Sequence, residues 1–359
     1  MGVSGTTKKI RFYEIDLLRF LAAFSVLLFH YTYKGWKSDD ISHVSFIELG
    51  HFFKYGYLGV HLFFIISGFV ILMTAINKDI RGFTISRITR LYPAYWLAVS
   101  LTTIVSLWIG ENRYPVDIKQ YLINLTMMHR FIDVRSIDGV YWSLIVELKF
   151  YFLIFMLILI RQIKNIHWYL GLWLAASIFI FHYGHIHIIG ALLFPQWSSY
   201  FIAGAIFYLI RLQGISSYKI LLLIGAYYLS LETLYVEFNS IFSTVSKQVE
   251  RYYIAAGLVT FFYMIFLGIS LNMTKFMNKQ KFVLLGALTY PLYLIHQNIG
   301  FMLFNSLHEY ANKYVLLFGI SSFMLLVAYL IHTQIEKQFA PILKNALIKT
   351  TNFIKIRKS

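Results

Sequence analysis

Ten apolar runs, each close to the roughly 20 residues a helix needs to cross a bilayer, occupy most of this chain. They fall at about 15–34, 55–76, 91–110, 141–160, 167–184, 196–212, 218–235, 252–272, 282–304 and 314–333. Runs of this length admit few architectures, because backbone groups in hydrocarbon must find partners within the protein itself. They predict an all-α integral membrane protein, a bundle of about ten transmembrane helices. The boundaries are weakest between the fifth and seventh runs, where Gly184, Gly190 and Pro195 interrupt the apolar stretch. Composition agrees. Only 13% of the 359 residues are charged, about half the share in a soluble domain. Aromatics reach 19%, which suits two interfacial belts. The absence of cysteine excludes disulfides, thiolate catalysis and thiolate metal sites.

The formal net charge of +16 would raise the question of nucleic acid on a soluble chain. Here its distribution reports orientation, and the expected partner is membrane lipid, with no nucleic acid. If the N-terminus is cytoplasmic, twenty of the 32 Lys and Arg residues lie on the inner side and ten in outer loops. Acidic residues run the other way. The asymmetry follows the positive-inside rule with both termini inside, N-in and C-in. Lys8, Lys9 and Arg11 precede the first run without a small-residue cleavage site, so that run reads as a retained helix. The expected organisation is a cytoplasmic segment 1–12, a transmembrane domain 13–335 and a basic cytoplasmic tail 336–359. In the tail, Phe339, Leu343 and Leu347 have helical spacing and predict a helix along the inner surface.

Ionisable groups inside a span are costly and persist where they face the bundle interior with a partner. Arg19, His30, His61, Glu147, Lys149 and His296 are such groups. Arg19 and His30 are eleven residues apart, about 16 Å along a helix and nearly three turns, so they share a face. Arg87 and Arg90 are spaced i,i+3 at the mouth of the third span, where two guanidiniums can converge on one anion. Pro93 follows and is expected to break the helix there. Glu147 is expected near the outer side, where a carboxylate beside an imidazole can fix its tautomer and raise its basicity. The result is two layers. Arg19, Arg87 and Arg90 lie toward the cytoplasm, as a phosphorylated donor requires, and His30, His61, Glu147 and His296 lie toward the outside. For the arginine pair plain anchoring, and for His61 and His296 ordinary packing, remain the competing readings. His182, His185 and His187 lack carboxylate company, and no metal is expected.

Five blocks in this order resemble the membrane-bound acyltransferase family 3, whose members acylate bacterial surface and exported glycans. They are YEIDLLRFLAAFSVLLFH with Asp16, Arg19 and His30; GYLGVHLFFIISGFVI, from Gly59 to Phe69; RITRLYPAYWLA with Arg87 and Arg90; YWSLIVELKFYFL, from Trp142 to Glu147; and LTYPLYLIHQ ending at His296. The likeness runs from Tyr13 to about Pro341. It implies that His30 is the catalytic histidine, Arg19 its partner, and Arg87 and Arg90 the arginines that handle acyl-CoA. His61 stands where many relatives carry Asp, and Leu148-Lys149 follow Glu147 where Glu-Gln is common. The form is expected to be the stand-alone one, without a fused hydrolase-like domain.

The resulting expectation is a multi-pass protein of the bacterial cytoplasmic (inner) membrane. It would move acetyl from cytoplasmic acetyl-CoA, as cosubstrate, to a hydroxyl of an extracytoplasmic polysaccharide, an O-antigen or exopolysaccharide, free or lipid-linked. His30 serves as general base or carries the acetyl group briefly. Arg19 and Glu147 complete the catalytic set, while His61, Trp142 and His296 line the acceptor pocket. A transporter or flippase of a lipid-linked glycan would also need intramembrane charges, but such folds tend to show two related halves, and none is found. A polysaccharide polymerase would be expected to carry a large outer loop.

Overall fold

The computed structural model describes residues 11–184, 187–242 and 248–356. Lys8, Lys9, His185, Lys247, Arg357 and Lys358, which entered the charge count or the metal reading, lie outside them. Numbering the longer helices in chain order, α1 is Tyr13–Phe29, α2 Gly59–Ala75, α3 Ile80–Ile109 and α4 Trp142–Leu159. They are followed by α5 Ile166–Tyr183, α6 Pro195–Gln213, α7 Ser217–Phe242 and α8 Gln248–Ser270. The last three are α9 Val283–Leu307, α10 Lys313–Leu330 and α11 Lys337–Ile356. Each of the ten apolar runs falls on one of α1 to α10. Eight stretches among the described residues are long and apolar enough to cross a membrane, and no strand occurs there. The protein is an all-α, multi-pass integral membrane protein.

The two runs outside those eight, α6 and α9, are sheathed by protein. Every residue of α6 from Ser198 to Ile210 is buried, as are Leu292 to Gln297 of α9. α9 packs against α1, α3 and α10, and α6 against α2. The α2–α6 contact depends on two glycines. A Cβ on Gly68 would collide with the carbonyl oxygen of Phe201, and one on Gly204 with that of Ile65. Without a hydrophobic driving force between helices in lipid, such backbone approach is what makes dispersion contacts strong. The disputed stretch between the fifth and seventh runs resolves by ordinary turn chemistry. Gly184 ends α5 at φ +63, a short helix His187–Leu193 follows, and Pro195 opens α6 at its first turn.

Three boundaries differ from the sequence expectation. α3 does not break at Pro93 but runs from Ile80, capped by the Asp79 carboxylate on Gly82 N at 2.9 Å. Arg87 and Arg90 therefore sit within the helix rather than at its mouth, since neighbouring helices re-satisfy what a membrane proline frees. α1 passes at His30 into a wider π-turn, His30–Ser38. α7 runs on to Phe242, because Leu234, Phe238 and Phe242 continue the buried stripe. The tail forms α11, which packs on α3, with Arg81 Nη2 donating to the Ile348 carbonyl at 2.7 Å.

Gly204→Leu forces backbone apart where no flexible side chain can yield, an overpacking cost of about 1–3 kcal/mol. The detergent thermal midpoint of that variant is expected to fall by several degrees. Gly257→Ala, where a Cβ meets nothing within 4 Å, is expected to leave it unchanged.

Candidate active site

Two cavities meet inside the bundle. The first, of about 120 Å³, is lined by Arg19 of α1, Ser67 of α2, Arg87 and Arg90 of α3, Glu147 of α4 and Tyr290 of α9. Arg87 lies over the rings of Phe83 and Tyr151 at 5.9 and 5.6 Å, donates to Ser86 Oγ at 3.0 Å, and keeps a buried Nε without a partner. Arg90 lies 5.7 Å from the Tyr290 ring and 3.5 Å from Glu336. Arg19 forms no ion pair within 4 Å among the described residues. Three guanidiniums thus line a cavity with one carboxylate, Glu147, which accepts a hydrogen bond from Ser67 Oγ at 2.8 Å, while Glu336 pairs with Arg90 from outside the lining. The surplus of fork-shaped donors suits a polyanion such as phosphate.

The second cavity, of about 100 Å³, holds His30, Lys34, Trp142 and Glu237. It shares Val60 and Tyr293 with the first, so these two side chains form the partition. Tyr293 is fixed there by its hydroxyl, 2.7 Å from Ser143 Oγ and donating to the Val140 carbonyl at 3.3 Å.

The protonation of the buried imidazoles follows from their partners. His296 Nδ1 faces the carbonyls of Tyr293 and Leu292 at 2.8 and 3.2 Å and must donate, since two acceptors cannot bond. In the neutral ring its Nε2 is then an acceptor. That atom lies 3.1 Å from His30 Nδ1, which also faces the Val26 carbonyl at 2.8 Å. His30 Nδ1 therefore carries the proton, shared between Val26 and His296. The lone pair of neutral His30 is left on Nε2, and His30 lines the chamber.

The structure brings together Arg19, Arg87 and Arg90 in one cavity, and His30 and Trp142 around the other; His296 lines neither and reaches the chamber only through its contact with His30. Glu147 departs from expectation: it joins the arginines, not the histidines. The depth expected for it assumed that α4 begins at the membrane surface, whereas the turn before it is itself sunk, with Asp138 and Tyr141 at 0% exposure. His61 lines neither cavity. Its Nε2 donates to Glu237 at 2.7 Å, and its ring packs among Tyr57, Trp197 and Tyr200. Glu237 supplies the carboxylate beside an imidazole that sequence reasoning assigned to Glu147. The sign of it was the Leu234–Phe238–Phe242 spacing, which carries α7 past its expected end. No group of three or more His, Asp or Glu gathers to hold a metal among the described residues.

The loop before α4 is tied to α9 by Asp138. Its carboxylate accepts from Val140 N at 3.1 Å and from Asn298 N at 3.0 Å, two residues beyond His296.

With this geometry in place, comparison with known proteins is decisive for the class. The model of acyltransferase family 3, described as an acyltransferase domain, matches residues 12–333. The chain belongs to that family. It is an acyltransferase, which sets aside the transporter and polymerase readings. It is similar to the putative acetyltransferase ORF330 of Acidianus two-tailed virus, 25% identical over 256 residues that cover 68% of this chain and 73% of the viral one. It is also similar to the peptidoglycan O-acetyltransferase OatA of Listeria monocytogenes serovar 1/2a, 27% identical over 183 residues, 45% of this chain and 27% of that enzyme. No solved structure matches the chain.

Burial pushes the Asp138 carboxyl from 3.8 up to about 7, against the two backbone N–H groups that hold it down. A carboxyl that titrates higher folded than unfolded favours folding while protonated, and that contribution is lost as pH rises toward 7. Relative to Asp138→Asn, the wild type is expected to lose about 2 kcal/mol between pH 5 and 7, read from denaturant unfolding in detergent.

Proposed function

We propose that this acyltransferase moves acetyl from cytoplasmic acetyl-CoA to a hydroxyl of an extracytoplasmic bacterial polysaccharide. In this reading the chain crosses the cytoplasmic membrane ten times, with α6 and α9 as protein-sheathed spans and both termini inside. The observation that carries the reading is the meeting of an arginine cavity and a histidine chamber at Val60 and Tyr293. The acetyltransferase names of the two relatives, one of them acting on peptidoglycan, support acetyl as the group and a glycan hydroxyl as its acceptor.

The phosphates of acetyl-CoA bind at Arg87 and Arg90, and the pantetheine arm extends past Arg19 to bring the thioester to the Tyr293 partition. The acceptor hydroxyl enters the chamber from the other side. His30 Nε2 takes its proton as the oxygen attacks the thioester carbonyl. The carbon–sulfur bond breaks, and the coenzyme A thiolate leaves, receiving the proton. His296 keeps the His30 lone pair aimed into the chamber. Glu147 offsets the guanidinium charge, Trp142 offers a ring face to the sugar, and His61 acts through Glu237.

Proton NMR of surface polysaccharide tests this. Deletion of the gene is expected to remove O-acetyl signals, wild-type copies to restore them, and His30→Ala copies to leave them absent although the protein remains in the membrane. Retained acetylation in that variant would sink the role of His30. Arg87→Lys keeps the charge but not the fork, and loss of one charged hydrogen bond, about 1.5–3 kcal/mol, is expected to raise the KM for acetyl-CoA by roughly tenfold or more.

A further inference from the structure

Outer-loop cations are scarce in the orientation proposed, ten of 32 Lys and Arg, yet three of them open onto one cleft. Arg113, from the loop after α3, and Arg130 and Arg135, from the loop before α4, line a polar cavity of about 520 Å³ with Gln297 and Asn298 of α9. The rest of α3 beyond Arg90, from Leu91 to Ile109, separates it from Arg87 and Arg90, about 28 Å of helix. Two aspartates, Asp39 and Asp133, also reach the cleft. None of the three arginines forms an ion pair within 4 Å among the described residues; Arg113 donates only to the Ile41 carbonyl, at 3.3 Å.

The backbone beneath these side chains is built and rigid. The Arg135 carbonyl accepts from Gln120 Nε2 at 3.2 Å and Asn124 Nδ2 at 3.0 Å, and Asn124 Oδ1 accepts from Ile137 N at 3.1 Å. Asn124 and Asp138 are fully buried. This buried polar network fixes the loop without the guanidiniums, which point outward and are exposed. Three guanidiniums without an ion pair, two of them on this preorganised loop and the third on the loop after α3, are a receptor for an anion. The cleft also backs onto the His30 chamber. Asp39 and Gly139 line the cleft, and their chain neighbours Ser38 and Val140 line the chamber.

We propose that this cleft binds an anionic oxygen group of the acceptor, placing a neighbouring hydroxyl toward His30. The acceptor is then an acidic glycan bearing carboxylates, or a glycan still joined to a carrier lipid through pyrophosphate. The word acceptor rests on the acetyl-transfer reading; anion binding by the cleft does not.

The test is isothermal titration of the purified full-length protein in detergent with tetragalacturonate, with neutral maltotetraose and with inorganic pyrophosphate. Tetragalacturonate is expected to bind, more weakly as salt rises, and maltotetraose not to. Arg113→Gln/Arg130→Gln/Arg135→Gln should weaken that binding by about tenfold or more, while Lys119→Gln, on an exposed outer lysine away from the cleft, should not. Single Arg130→Gln and Arg135→Gln changes, each with an unchanged thermal midpoint, should weaken it partly and guard against misfolding of the triple variant. Arginine-dependent binding of pyrophosphate without tetragalacturonate would assign the anion to the lipid carrier. If neither anion binds more tightly than maltotetraose, or the arginine variants bind as wild type does, the proposal is overturned. His30→Ala is expected to bind normally, so failure of the transfer chemistry and failure of the cleft register separately.

Discussion

His296 donates its Nδ1 proton to carbonyl oxygens of its own helix, and that choice propagates through the site. It makes Nε2 an acceptor, directs the His30 Nδ1 proton toward it, and leaves the lone pair of neutral His30 on Nε2. In water an imidazole samples both tautomers. In a dry bundle an acceptor facing an acceptor costs the full desolvation of both, so the pair is confined to one arrangement. The π-turn that begins at His30 is part of the same arrangement, since such local widening is frequent where a helix aims a functional side chain.

α9 serves as the ruler along which the other parts are placed. Tyr290 lines the arginine cavity, Tyr293 the partition, His296 supports the imidazole, and Gln297 and Asn298 reach the arginine cleft. These five positions lie within nine residues, about 12 Å of helix. Such a sequence of contacts requires α9 to be enclosed by protein on nearly every side. That enclosure explains why it carries more polar groups than a lipid-facing span tolerates. The glycine contacts between α2 and α6 seat α2, which supplies both Ser67 and Val60 to the cavity walls, against a buried partner.

Much of this was legible in the chain itself. Apolar run length located α1 to α10. The i,i+3 spacing of Arg87 and Arg90 and the common face of Arg19 and His30 anticipated residues that do line neighbouring cavities. Depth was harder to read. Glu147 was assigned to the wrong layer because the turn at Asp138–Tyr141 is sunk into the protein, a tertiary fact with no periodic signature. The His30–His296 and His61–Glu237 pairs join residues 266 and 176 positions apart, so no local pattern announces them. Pro93 misled for a related reason: the rule that proline ends a helix is calibrated on backbone exposed to water, where no neighbouring helix compensates.

The central claim is that donor and acceptor enter from opposite faces and meet at Val60 and Tyr293. Its most direct test is sidedness. Inverted and right-side-out membrane vesicles from producing cells, each given acetyl-labelled acetyl-CoA outside, are assayed for label in the polysaccharide. Label is predicted only in inverted vesicles, whose cytoplasmic face and arginine cavity are turned outward, and no label when His30→Ala replaces the wild type. Equal labelling in both orientations, with intact vesicles, would contradict the account, because donor and acceptor would then share one face.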